Sequence, residues 1–356
     1  MSKVLKVAII GAGIGREHLA GYRALPDRFQ VSDICDIDEA RAREISGGDT
    51  AISVTSDFDS LLIREDIDLI DICLPPHLHF DMSMKALAAG KHVVCEKPLV
   101  NSLREADLLA AQAAKYGKML FPVFQYRFGP AISKLKALIE LAGKPLVASI
   151  ETHWNREADY YANPWRGTWK GERGGAILGH AIHNHDLLCA IFGGVKKVNA
   201  FVDTRVNDIE VEDCASISFV MESGALATSS ITLGAAKDTS RLRFVFENLT
   251  ATSGTSPYNP AEDEWTFEAR GRVTQDQVDA IVSKVDFVHS GFAGFFEALA
   301  DCLQNDGKNA VIIEDGIRSL EIVSMMYQSA RSCAIVQAPI TEGDAFYDGW
   351  APTITS

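Results

Sequence analysis

The chain has 356 residues, more than one hydrophobic core usually serves, so two domains are expected. Hydrophobic residues make up 47% and charged residues 23%, the mixture of a globular protein. With 34 Lys+Arg against 48 Asp+Glu, the net charge of -14 sets phosphate backbones and anionic membranes aside as partners.

Seven cysteines stand at 35, 73, 95, 189, 214, 302 and 333 with no C-x-x-C pair, and several lie in apolar runs. They read as buried thiols in a reducing compartment. The N-terminus shows no signal-peptide pattern, and no apolar stretch approaches the ~20 residues of a membrane helix. A cytoplasmic location is the resulting expectation.

The first third alternates strands and helices. The run 4–10 is continuously apolar, as in a central parallel strand, and helical spacing follows over 16–25 up to Pro26. A strand is expected over 29–35 and a short helix over 39–45, stopped by Gly47-Gly48. Strands at 67–74 and 92–95 flank a helix over 78–89, with Gly90 where a C-terminal cap belongs. A helix over 102–116 and a strand over 119–124 complete a doubly wound parallel Rossmann sheet over 1–123.

From 124 to 356 the rhythm changes. Helices are expected over 131–141 and 178–192, and strands over 146–153, 198–202, 215–221, 225–233 and 242–247. Glu222-Ser223-Gly224 reads as a hairpin turn. Strands that follow one another without helices imply a mostly antiparallel sheet in an α+β domain. Residues 251–262, rich in Thr, Ser, Gly, Asn and Pro, read as an exposed loop. Late helices fall over 292–303 and 316–332.

Val7-Ala8-Ile9-Ile10 runs into Gly11-Ala12-Gly13-Ile14-Gly15, a strand entering a glycine turn that opens a helix. Such a turn lets the backbone approach a pyrophosphate at the helix N-terminus. The third glycine comes one place early, because Arg16 stands where G-x-G-x-x-G has its last glycine. Asp36 ends the next strand, where a carboxylate accepts from the adenosine ribose hydroxyls. Pro75-Pro76-His77-Leu78-His79 follows a buried strand, at the end where such sheets bind ligands, which makes Pro75 and His79 candidates to line the cofactor. Gly90-Lys91-His92-Val93-Val94-Cys95-Glu96-Lys97-Pro98 ends another strand in an unusual Glu-Lys-Pro. Pro98 pushes Lys97 towards extended geometry.

Taken together these segments resemble the Gfo/Idh/MocA family of NAD(P)-dependent sugar and polyol oxidoreductases. The resemblance covers nearly the whole chain. It includes Tyr126-Arg127-Phe128 with Pro130, Gly174-Gly175 leading to His183 and Asp186, and Glu314-Asp315-Gly316. It implies that Lys97 assists proton transfer and that the peptide bond before Pro98 is often cis. A free Lys has a pKa near 10.4; burial and the positive ring of oxidised nicotinamide both push it down, and a protonated Lys97 instead donates to the substrate oxygen. The resemblance also implies an Asp four positions before His183, where this chain has Gly179. His180 shares a helical face with His183 and is the candidate for the missing polar group.

Asp186, one turn after His183, is a candidate to orient it or to hold a substrate hydroxyl, and Arg127 is a further substrate candidate. His180, His183 and Asp186 also have a spacing that fits metal ligands, but hydride transfer to nicotinamide needs no metal and none is expected. Residues 154–169 are rich in aromatic, Arg and Asn residues, which suits a carbohydrate site with Arg156 and Trp165, or alternatively an oligomer interface. The expected protein is a homo-oligomeric (dimeric or tetrameric) dehydrogenase that moves a hydride between NAD and a carbohydrate hydroxyl. Gly11, Gly13, Ile14, Gly15, Asp36, Pro75, His79, Glu96 and Lys97 face the cofactor in this reading. The rivals are a glycoside hydrolase that uses NAD for transient oxidation and a non-catalytic cofactor-binding regulator.

Overall fold

A computed structural model describes residues 3–352, which divide into two compact units. The first contains the chain up to Phe124 together with Phe292–Ile317, and the second contains Gln125–Gly291 and the chain from Arg318 on.

The first unit runs β1 (Leu5–Ile10), α1 (Gly15–Arg23), β2 (Phe29–Cys35), α2 (Glu39–Ser46), β3 (Ser53–Thr55), α3 (Phe58–Leu62), β4 (Leu69–Ile72), α4 (His79–Ala88), β5 (His92–Cys95), α5 (Leu103–Tyr116) and β6 (Leu120–Pro122). Its six strands form one parallel sheet in the order β3-β2-β1-β4-β5-β6. Val7, Ile9, Ile70, Ile72, Val93 and Val94 are fully buried, which is why their strands read as unbroken apolar runs. The strand order reverses at β1 and β4, and ligands of such sheets bind beyond the carboxyl ends at that switch. Helix ends follow local chemistry. Asp38 caps α2 by accepting from the amides of Ala40 and Arg41, Ser102 caps α5, and Gly47 and Gly117 close these helices in the left-handed region. The short elements β3 and α3 were not expected; three and five residues are too few to establish a period.

The second unit runs α6 (Pro130–Ala142), β7 (Pro145–Asn155), α7 (Trp169–Glu172), a π-turn (Ile177–Ala181), α8 (Ile182–Phe192), β8 (Val195–Asp203), β9 (Cys214–Met221), β10 (Leu226–Thr232), β11 (Gly234–Phe246), β12 (Leu249–Thr252), β13 (Thr266–Ala269) and α9 (Gln275–Val282). After α10 (Gly291–Asn305), α11 (Ile313–Ser332) and β14 (Val336–Gln337) complete the chain. The sheet has eight strands in the order β13-β12-β11-β7-β10-β9-β8-β14. It is antiparallel except for the β7–β10 pair. In β9 and β10 buried Ala215, Ile217, Phe219, Ala227, Ser229 and Ile231 alternate with outward residues, the period-2 signature of a half-covered sheet. The sequence between Ile182 and Cys189 is buried throughout, so over this stretch α8 is a core helix whose polar residues, His183 to Asp186, are buried as well.

Two expectations need correction. The whole of 124–356 was assigned to the second domain, but the segment carrying most of α10 belongs to the first unit. Phe296 stacks on Tyr22 at 3.7 Å between centroids, and Phe292 lies 4.5 Å from the His18 ring. Helical periodicity reveals that α10 has an apolar face but not which sheet's helices it meets. The loop expected at 251–262 is partly ordered: its first residues pair as β12 against β11, and Pro260 and Ala261 are buried in a 3-10 turn. No helix among the described residues is long and apolar enough to cross a membrane.

Candidate active site

The glycine turn of the first unit takes the shape a dinucleotide needs. Gly11 has a φ of +106°, and a Cβ there would lie 2.4 Å from the carbonyl oxygen of Cys73, so only glycine fits. A Cβ on Gly15 would lie 2.8 Å from Ile9, so this early third glycine serves the close helix–strand packing. Gly13 faces open space, and Ile14, more than a third exposed, leads into α1. A helix start of this kind is where backbone amides receive anions. Asp36 lies across the turn, its carboxylate accepting from the amides of Ala12 at 2.6 Å and Asp38 at 2.8 Å. These residues fit a dinucleotide, and the Asp36 carboxylate is fixed beside the glycine turn.

Beyond β4 the chain turns through Pro75, extended and half-buried, into a 3-10 turn at Pro76–Leu78. His79 is fully buried, and its ring nitrogens lie 2.7 Å from the Pro98 carbonyl and 2.8 Å from the Leu74 carbonyl. It ties this turn to the Glu-Lys-Pro segment instead of presenting its ring to a ligand. Glu96 is buried and accepts from the amide of Lys97 at 2.9 Å, Lys97 is half-buried, and the Lys97–Pro98 bond is cis.

In the second unit, His180 and His183 occupy the junction of the π-turn and α8, a local widening of the helix that recurs at functional sites. The His183 ring stacks on Tyr126 at 4.6 Å, and the His180 ring meets Trp154 edge-on at 5.1 Å with the Tyr160 hydroxyl 3.4 Å from Nε2. Arg156 lies over Trp154 and Tyr160, and it donates to Asp238 at 2.9 Å and to Tyr258 at 3.1 Å. Trp165 is half-buried under the guanidinium of Arg166, 4.5 Å from its ring centre. The aromatic stretch thus gathers around His180 through Trp154, Arg156 and Tyr160, with Trp165 one step removed. Arg127 and Asp186 meet each other: Nε and Nη2 donate to the two carboxylate oxygens at 2.7 and 2.5 Å, with Asp186 almost fully buried.

Three further residues shape this helix and had no local signal in the sequence. Glu212, fully buried, accepts from the amides of Gly175 and Ile177 at about 3.0 Å and from the Tyr327 hydroxyl at 2.9 Å. Burial pushes its carboxyl up to about 7 against those donors. A Cβ on Gly175 would lie 1.8 Å from the Glu212 carbonyl oxygen, which explains the glycine. Asp238 and Tyr258 complete the Arg156 cluster from β11 and the loop after β12, more than 80 residues away in sequence.

A parallel sheet with a dinucleotide turn, followed by a second unit with a histidine-bearing helix on a broad sheet, defines a two-domain NAD-dependent oxidoreductase. Residues 5–124 match the oxidoreductase family GFO_IDH_MocA, NAD-binding Rossmann fold, and residues 132–252 match the GFO/IDH/MocA C-terminal domain. The chain belongs to the Gfo/Idh/MocA family. It is 32% identical over 235 residues to the uncharacterized oxidoreductase YrbE of Bacillus subtilis, covering 64% of this chain and 67% of that one. Levoglucosan dehydrogenase of Pseudarthrobacter phenanthrenivorans is 29% identical over 57% of this chain and 55% of its own. The WlbA dehydrogenase of Chromobacterium violaceum, solved with NADH and UDP-GlcNAcA, superposes with a TM-score of 0.83 at 26% identity, over 96% of this chain and 98% of its own.

Proposed function

We propose that the protein oxidises a hydroxyl-bearing carbon of a sugar, polyol or related carbohydrate, or reduces the matching ketone. The observation that carries this reading is the cluster of Trp154, Arg156, Tyr160 and Tyr258 around His180. It offers flat apolar ring faces beside polar donors, the chemistry that recognises a sugar. NAD, when bound, takes the hydride from the substrate carbon. The amides around Gly13 and Ile14 receive the pyrophosphate, and Asp36 receives the ribose hydroxyls and selects against a 2′-phosphate.

Lys97 and His183 handle the substrate hydroxyl proton. Lys97 lies just past the end of β5, where Glu96 accepts from its amide, and the stacked Tyr126 ring fixes the plane of His183. His180 supplies a polar group beside Gly179. Arg127 and Asp186 enter as a clamp on α8. The outward side of the eight-stranded sheet carries Ser216, Ser218, Thr228, Ser230 and Phe201, and self-association across it is part of this reading.

A panel of polyols, pyranosides and sugar acids, read at the NADH absorbance, tests the function. Lys97→Ala and His183→Ala should each lower kcat by about 10²–10⁴-fold with NADH affinity retained. Turnover within a few-fold of wild type in Lys97→Ala removes the acid–base assignment. Hydrolysis of an aryl glycoside without net NADH formation replaces the dehydrogenase reading with that of a hydrolase.

A further inference from the structure

Beneath Lys97 the first unit buries a chain of ionisable groups that the reaction outlined above does not use. His18, on α1, is wholly buried. Its Nδ1 lies 2.8 Å from Oδ2 of Asp71 on β4, and its Nε2 lies 3.1 Å from Oε1 of Glu96 at the end of β5. The other oxygen of Glu96 accepts from the amide of Lys97. Asp71 is itself wholly buried, and the Cys73 thiol stands 3.3 Å from Nδ1. Phe292 and Phe296 close the other side of the imidazole, and Tyr22 lies one turn along α1 from it.

Two carboxylate oxygens facing the two nitrogens of one ring fix its protonation. A neutral imidazole donates from one nitrogen only and would turn the other's lone pair onto an acceptor. An imidazolium donates to both, and it leaves one net negative charge where two isolated buried carboxylates would be prohibitive. Burial alone lowers the imidazole's basicity, but the Asp71 carboxylate beside Nδ1 outweighs it, and the ring is held well above its ordinary value. Burial and Asp71 push the Cys73 thiol up, so it stays protonated. His18, Asp71 and Cys73 have the composition of a metal site, yet their separations are those of hydrogen bonds and need no cation.

We propose that His18 is a positioning residue: a doubly donating imidazolium that bridges Asp71 and Glu96 and thereby fixes the main chain carrying Lys97. The inference rests on the reading of Lys97 as a proton-handling group. Without the bridge, the Glu96 carboxylate loses the contact that sets Oε1, its hydrogen bond to the Lys97 amide is less well fixed, and the ammonium no longer meets the substrate oxygen at a set angle. A misplacement of about 1 Å in such a group costs on the order of 10²-fold in rate.

The test has two arms. In the first, the intact wild-type protein is labelled with ¹⁵N-histidine, and the two His18 ring nitrogens are followed by NMR. Both should keep imidazolium shifts from pH 6 to 9, and a neutral tautomer at pH 7.5 overturns the proposal. In the second arm, His18→Gln, Glu96→Gln and the double variant are compared at saturating NAD with the best substrate of the panel. Each single change should lower kcat by about 10- to 100-fold. For His18→Gln, whose ring is wholly buried, KM and the NADH Kd should stay within about threefold, and the double variant should be little slower than the slower single one. Loss of thermal stability with unchanged kcat per folded molecule, or full additivity, overturns it. A Lys97→Ala enzyme with normal turnover refutes the reading of Lys97 instead, whereas a neutral His18 refutes this inference whatever Lys97 does.

Discussion

Arg127→Met is the substitution that best separates a structural clamp from a substrate ligand. Asp186 is 2% exposed and Arg127 11%, and both carboxylate oxygens are engaged at 2.7 and 2.5 Å. With charge centres about 4 Å apart and an effective dielectric of about 20, the attraction is on the order of 4 kcal/mol. Removing the guanidinium takes the bidentate donor from a buried carboxylate, a change that typically costs about 3–5 kcal/mol. For a unit of this size each kcal/mol moves Tm by about 2–4 °C, so Arg127→Met should lower it by about 10 °C. Asp186→Asn should cost less, because Arg127 lies nearer the surface. The apolar pair Arg127→Met with Asp186→Leu should regain much of the loss, with a coupling of about 2–3 kcal/mol. The assay is urea and thermal unfolding followed by circular dichroism, with kinetics on the same samples. If Arg127→Met instead leaves Tm unchanged and lowers kcat/KM about 100-fold, the pair serves the substrate and the clamp reading fails.

Two more expectations follow from the same geometry. Asp36→Ser should tighten NADPH binding relative to NADH by at least about tenfold, because a carboxylate beside a 2′-phosphate is lost; isothermal titration reads the ratio. An unchanged preference would mean that Asp36 does not face the ribose. The Glu212 carboxyl, raised from 4.5 to about 7, is favoured by the fold in its protonated form. Stability therefore falls as pH rises between those values and stays lower above them, by about 3 kcal/mol. The Tm of Glu212→Gln should accordingly vary less between pH 5 and 8 than that of wild type. Parallel curves would remove Glu212 as the source.

What was legible in the sequence was whatever local chemistry dictates. The apolar runs of β1, β4 and β5 are buried on both faces and could only be central strands, and Gly11 announced a backbone that no other residue adopts. Glu96-Lys97-Pro98 was found because a charged pair at the end of a buried strand is locally anomalous. Long-range pairing stayed hidden. Arg127 and Asp186 each resembled a substrate ligand when read alone, and only the fold brings a residue of the turn before α6 onto α8. Glu212 meets Gly175 across 37 positions of chain and carries no motif. His18 carries no motif of its own, since its two carboxylates stand 53 and 78 positions away in the chain. The π-turn was invisible for a different reason: a single inserted residue leaves the apolar content of the helix unchanged while turning Gly179 and His180 relative to His183.

That turn yields a rescue experiment. The family resemblance implies a carboxylate at position 179, and His180 is its proposed replacement. Gly179 lies in helical backbone, and a Cβ there would meet nothing within 4 Å. An aspartate therefore needs no displacement of neighbours, and its helix propensity is slightly better than that of glycine, by a few tenths of a kcal/mol. The His180 ring is anchored among Trp154 and Tyr160, so His180→Ala removes both an orienting contact and a polar atom and should cost about tenfold in kcat. If the polar atom is what matters, Gly179→Asp introduced into His180→Ala restores most of the lost rate. The same Gly179→Asp in the wild-type background should change kcat by less than about threefold, because the role is already filled. A double variant as slow as His180→Ala, with Tm and NADH binding intact, would assign His180 to the packing of the aromatic cluster and leave position 179 as space for the substrate.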